Sequence, residues 1–162
     1  MAVAYDFDEQ LSVGRKGVEI VKSLLEEEGN NIVDYNDNQE QQRRGLDLFA
    51  THVGNIEVKT DTTDSDNVFL EVESMGTPGC IFKSRADWIY IVFINQGRIF
   101  RARLPKLQWW LAQHYGLLNA SRMKKVVQSR RGSNTWSVTG FVVPKTVLVE
   151  EAGGEEVAYA ES

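Results

Sequence analysis

Between Gly14 and Glu28, Ile20, Val21, Leu24 and Leu25 recur at helical spacing, which predicts an amphipathic helix with one apolar stripe. Gly17 falls near the middle of that stripe, where the missing side chain permits close backbone approach to a sheet. Gly29, Asn30 and Asn31 end the pattern, and Ile32 to Tyr35 predicts a short strand. Asn36 to Arg44 is polar and reads as a loop. Two apolar segments then flank Gly54-Asn55, which predicts a hairpin turning at that pair. Val68 to Glu73 predicts another strand, and Gly76-Thr77-Pro78-Gly79 a turn. Trp88 to Ile94 is almost wholly apolar, as expected of a central strand covered on both faces. Arg98 to Arg103 alternates polar and apolar and reads as its hairpin partner. Pro105 opens a helix running to about Tyr115, and Thr135 to Val143 predicts a last strand. The order of elements implies an α/β fold, a mixed central sheet flanked by helices.

A length of 162 residues suits one domain, taken as residues 1–149, followed by an acidic, flexible C-terminal tail at 150–162. The formal net charge of -5 argues against a nucleic-acid partner until the charges are located. Glu150, Glu151, Glu155, Glu156 and Glu161 lie in the tail, and without them eighteen acids balance eighteen bases. A basic surface is therefore compatible with the whole. No apolar run is long enough to span a membrane, and the first six residues carry neither a basic nor an apolar leader region, so a cytoplasmic protein is expected. Cys80 is the single cysteine, which excludes an intrachain disulfide and a cysteine-cluster zinc site and predicts an inert thiol.

The chemistry concentrates between Gly45 and Lys59. Side chains alternate across a strand, so Glu57 and Lys59 share a face while Val58 points oppositely into the core. Pairing across the hairpin brings Asp47 alongside, and two carboxylates and an ammonium converge. With the Val58 carbonyl, the two acids supply hard oxygen donors of the kind Mg²⁺ takes, leaving room for water and a phosphate oxygen. Lys59 fits two roles: orienting or deprotonating an attacking water, and stabilising the developing negative charge. The competing reading is that these are surface charges of an edge hairpin.

Gly45-Leu46-Asp47 followed by Ile56-Glu57-Val58-Lys59, with Gly17-Val18-Glu19 on the preceding helix, resembles the PD-(D/E)XK nuclease superfamily, the restriction-endonuclease-like fold that includes Holliday junction resolvases. Asn67 to Glu71 and Lys83 to Trp88 look like the downstream strands of phage-type members. Leu46 stands where many members have proline before the first acid. The resemblance implies Mg²⁺-dependent DNA cleavage, with Mn²⁺ as a substitute, and assigns Asp47, Glu57 and Lys59 the catalytic core. Glu19 would be a further metal ligand, although its helical position also suits a surface ion pair. A homodimer would place two symmetric sites on the two strands of a duplex or junction. The alternative function is a catalytically vestigial, DNA-binding or assembly module on the same fold.

Arg43 and Arg44 precede the first acid and are placed to reach phosphates, or to sit in a solvated loop. Arg122, Lys124, Lys125, Arg130 and Arg131 fall in an acid-free stretch from Ser121 to Ser133, suited to phosphate contacts or to a flexible solvated segment. Trp109 and Trp110 read as core and interface, and His52 and His114 as structural.

Overall fold

The computed structural model describes residues 4–160, so Glu161 and the first three residues read above lie outside the described part. In chain order the elements are β1 (Ala4–Asp6), α1 (Phe7–Glu27), β2 (Ile32–Asp34), α2 (Gln39–Arg43), β3 (Leu48–Ala50), β4 (Gly54–Asp61), β5 (Asn67–Ser74), β6 (Thr77–Pro78), α3 (Cys80–Lys83), β7 (Trp88–Phe93), β8 (Arg98–Arg103), α4 (Leu104–Asn119), β9 (Lys124–Arg131), β10 (Asn134–Pro144), α5 (Lys145–Glu151) and β11 (Glu155–Ala158). The strands form two sheets, a six-stranded one in the order β11-β8-β7-β4-β3-β2 and a five-stranded one in the order β1-β9-β10-β5-β6. Both are mixed: β4 pairs parallel to β7 and β1 parallel to β9, while the other neighbours are antiparallel. The expected α/β class with mixed pairing flanked by helices is the observed one, with the strands divided between two sheets where a single central sheet was expected. No helix among the described residues is long and apolar enough to cross a membrane.

Two apolar clusters hold the layers. One face of β4 and β7 carries Ile56, Val58, Tyr90 and Val92 against Val18, Val21 and Leu25 of α1. The opposite face of β7 carries Ile89, Ile91 and Phe93, which join Val68 and Leu70 of β5, Phe141 and Val143 of β10 and the inner side of α4. Gly17 is the tightest joint: a Cβ there would lie 1.9 Å from Thr60 Oγ1, so α1 rests directly on β4 as the sequence suggested. This contact sets the height of the helix over the acids.

Several boundaries differ from expectation for identifiable reasons. The first helix begins at Phe7, a full two turns before Gly14, because Asp6 Oδ1 accepts the Asp8 and Glu9 N–H groups and caps it. The 36–44 loop contains the short helix α2, capped by Asn38. The hairpin turns at Thr51-His52-Val53, and Gly54 and Asn55 already pair with Ala50 and Phe49. The acidic C-terminal segment is not a flexible tail as far as it is described. After α5, Glu155 to Ala158 pair with Arg101 to Arg98 as β11. There Glu156 meets Arg98 and Lys145, and Glu155 meets Arg101, while Val157 packs on the core. The basic partners lie far off in sequence, so a charge run that looks solvated becomes the edge of a sheet.

Candidate active site

Asp47 stands just ahead of β3, whose Leu48 lies opposite Ile56 of β4. That register brings the Asp47 main chain to β4, where its N–H donates to the Ile56 carbonyl at 2.9 Å. The Val58 N–H donates to Asp47 Oδ2 at 2.7 Å. A strand residue projects its N–H and C=O to the same edge, so the Val58 carbonyl emerges beside this carboxylate. Glu57 and Lys59 share the next face, with Lys59 Nζ 3.0 Å from Glu57 Oε1. Glu57 is buried, whereas the Lys59 side chain keeps 42% of its exposure. Asp47, Glu57 and Lys59 act on one another electrostatically. The structure brings these sequence-predicted residues together.

The same contacts set their protonation. Burial raises the Asp47 pKa, against the Val58 hydrogen bond and the Lys59 charge, and nearby Asp34 adds to the rise. Burial also raises Glu57, opposed by Lys59 and aided by Asp47. Lys59 is pushed well above the usual ammonium range by the Cys80 sulfur, then by Glu57 and Glu71, against burial. Burial holds the Cys80 thiol up at about 12, so at neutral pH it is uncharged and the two carboxylates are the anions that keep Lys59 protonated.

Gly45 makes the enclosure of Glu57 possible. Its φ of +72° suits glycine, and a Cβ there would stand 2.9 Å from Glu57 Oε2 and 2.8 Å from Ser84 Oγ. Ser84 Oγ in turn donates to the Gly45 carbonyl at 2.8 Å, closing the loop over the acid.

Asp47 and Lys59 open into a cleft of about 700 Å³ between the two sheets, bounded by the first half of α1 and by β5, β9 and β10. Arg15, Asp34, Glu71 and Cys80 line it as well. None of these was singled out in the sequence as a site residue, because each reaches the cleft from a separate element without a short motif. Many of the acids in the cleft have local partners: Asp6 caps α1, Asp61 accepts from Thr63, and Asp34 pairs with Arg15 and Lys22.

Other expected site residues are placed elsewhere. Glu19 sits in the surface ion pair that its helical position also allowed: it bridges Arg15 at 3.2 Å and Lys22 at 3.7 Å, its side chain 57% exposed. Helical phase turns it away from the sheet. Arg43 and Arg44 are exposed on α2, Arg44 pairs with Glu40 at 3.3 Å, and neither lines the cleft. The five bases of the acid-free stretch do not act as one surface. Most of that stretch is strand β9, whose alternation turns Lys125 into the cleft and leaves Lys124 and Arg130 on the other side. Arg131 pairs with Asp8 and lies over the Phe7 ring, and Arg122 is exposed ahead of the strand. Trp110 is buried and stacked on His114, while Trp109 is exposed. His52 is exposed in the hairpin turn.

No family model, curated protein or solved structure matches this chain.

Proposed function

We propose that the protein is a metal-dependent DNA endonuclease that hydrolyses phosphodiester bonds, of the structure-specific, junction-resolvase-like kind. The observation that carries this reading is the convergence of Asp47, Glu57 and Lys59: Asp47, held by the Val58 N–H, and Lys59 line one cleft, and buried Glu57 pairs with Lys59 behind it.

The donor set fits Mg²⁺, or Mn²⁺ in its place. Asp47, Glu57 and the Val58 carbonyl offer hard oxygens, and the neighbouring Cys80 is a protonated thiol that competes poorly for a hard cation. Bound there, such an ion would neutralise phosphate charge and make a water more acidic. Asp47 and Glu57 are the groups to hold it. Lys59, kept protonated by its carboxylate neighbours, stabilises negative charge developing on the phosphoryl oxygens rather than taking a proton from water. Lys125 supplies a phosphate contact along the cleft. Hydrolysis of both strands is most simply done by a two-fold dimer, and exposed Trp109 and Leu117 on α4 offer it apolar surface.

The test is incubation of pure protein with supercoiled plasmid and branched DNA in Mg²⁺ or Mn²⁺. Cleavage is expected that stops with EDTA and with Lys59→Ala, and absence of cleavage depending on both rejects the proposal. A second reading, a vestigial DNA-binding or assembly module, is favoured by one observation: no three His, Cys, Asp or Glu side chains among the described residues are grouped to hold a metal. Calorimetric titration with Mn²⁺ separates the two, since a vestigial site takes up no cation.

A further inference from the structure

The fold does not treat all of its bases alike. At the β8–β11 edge, Arg98, Arg101 and Lys145 each meet a glutamate. A second group has no such partners. Arg43 ends α2, Lys83 ends α3, Arg85 follows it, Arg103 ends β8 and Lys106 lies in the first turn of α4. All five are exposed, and among the described residues none has an acid within ion-pair reach. Arg44 beside them is paired, with Glu40.

These bases come from three segments, distant in sequence, that hydrogen bonds stitch side by side. The Arg85 N–H donates to the Arg44 carbonyl at 2.8 Å, and Ser84 Oγ donates to the Gly45 carbonyl at 2.8 Å. The Leu104 N–H donates to the Asp87 carbonyl at 3.0 Å, which sets Arg103 beside the second segment. Gln108 of α4 adds a side-chain bond to the Ser84 carbonyl at 3.3 Å. Arg103 and Lys106 line a groove of about 420 Å³ together with His52 and Trp88, and the Arg103 guanidinium lies 5.4 Å from the centre of the Trp88 ring. The acid in this groove, Asp87, is turned to the hairpin: its Oδ2 accepts the Asn55 N–H at 2.8 Å and would stand 2.5 Å from a Cβ on Gly54. Residues 40–45, 83–87 and 103–106 thus hold six bases and two acids, and both acids are engaged locally.

Unpaired cations gathered in one neighbourhood repel one another, and a polyanion relieves that repulsion. Four of the six bases are arginines, whose planar fork matches phosphate oxygens. The ridge also adjoins the candidate active site, because Gly45 and Ser84, the seam between its first two segments, close over Glu57. We propose that this ridge is the docking surface for the phosphate backbone of nucleic acid, which it holds beside the acid and lysine cluster. The proposal rests on the phosphodiesterase reading of Asp47, Glu57 and Lys59. Contacts of this kind set affinity and register and carry no base sequence.

Fluorescence anisotropy of the full chain with a labelled blunt duplex, in EDTA so that nothing is cut, tests the ridge apart from the chemistry. The variant Arg43→Ala/Arg85→Ala/Lys106→Ala takes one exposed base from each segment. Its affinity should fall about tenfold or more, and its slope of log affinity against log salt should flatten by about 3. Arg43→Lys/Arg85→Lys should keep the wild-type slope. Arg122→Ala/Lys124→Ala/Arg130→Ala removes the same charge from the β9 region and should change little. No salt-dependent duplex binding by wild type, an unchanged slope in the folded ridge variant, or an equal loss in the β9 variant overturns the ridge. Plasmid cutting in Mn²⁺ then separates the two readings. The ridge variant should cut with a raised KM and a nearly unchanged kcat, whereas Lys59→Ala should still bind and not cut. Ridge-dependent binding without Lys59-dependent cutting rejects the hydrolytic reading and leaves the ridge standing. Lys59-dependent cutting with an unchanged KM in the ridge variant rejects the ridge and leaves the hydrolytic reading.

Discussion

Two clusters of charge occupy opposite parts of the six-stranded sheet, and they are built on contrary terms. At the β8–β11 edge, Glu156 meets both Arg98 and Lys145, and Glu155 and Glu28 meet Arg101. Burial disfavours the Glu156 carboxylate, but Lys145 and Arg98 outweigh it and hold its pKa below the ordinary range. Beside the cleft, burial outweighs the partners, and both Asp47 and Glu57 are raised. One cluster steadies the fold. The other keeps two poorly solvated acids around a single ammonium, an arrangement that costs stability and suits a cation-dependent reaction.

The largest effect expected is on activity. Lys59→Ala should lower metal-dependent cleavage by about 10³-fold, measured in single-turnover assays. Cleavage that survives in the folded variant would contradict a catalytic role for this ammonium. Next is the joint beneath the cleft. Gly17→Ala drives a methyl group into Thr60, a β-branched side chain with little rotational freedom, and should destabilise by about 2 kcal/mol in urea unfolding.

Asp47→Asn sharpens the contrast. The amide oxygen can still accept the Val58 N–H, yet no charge is desolvated, so the metal-free variant should be more stable than wild type by about 1 kcal/mol while inactive. Acid titration of stability gives the smallest effect and the cleanest sign. A depressed folded pKa means that Glu156 stabilises fully above its unfolded value and loses this as pH falls through its folded value. Asp47 runs the other way: its penalty is present when ionised and disappears on protonation. Melts between about pH 7 and pH 3 should therefore show Glu156→Gln with a shallower acid loss, by up to about 1 kcal/mol, and metal-free Asp47→Asn with a steeper one.

The same contrast explains what could be read from the chain alone. Glu57 and Lys59 were legible because strand alternation puts them on one face, whereas the register of Asp47 was not, because the hairpin turns at Thr51 to Val53 and not at Gly54-Asn55. Gly17 was legible because an interruption in an apolar stripe has few structural uses. The Asp6 cap was also local, with Asp8 and Glu9 following it, and lay outside the apolar periodicity that defined the helix. The stabilising cluster could not be read, because Arg98 and Glu156 meet only through the pairing of β8 with β11. Glu19 was legible in its alternative form: helical periodicity already put it with Arg15 and Lys22 on the polar side of α1, where the structure pairs it with both. The split of Lys124 from Lys125 follows from strand alternation once β9 is known to be a strand, which its basic composition concealed.

The most direct measurement is Mn²⁺ titration by isothermal calorimetry of wild type, Asp47→Ala and Glu57→Ala, each checked as folded by circular dichroism. Saturable uptake by wild type and its loss in both variants is the predicted result. Wild type that takes up no cation, or variants that take it up equally well, would contradict a shared site between these two carboxylates.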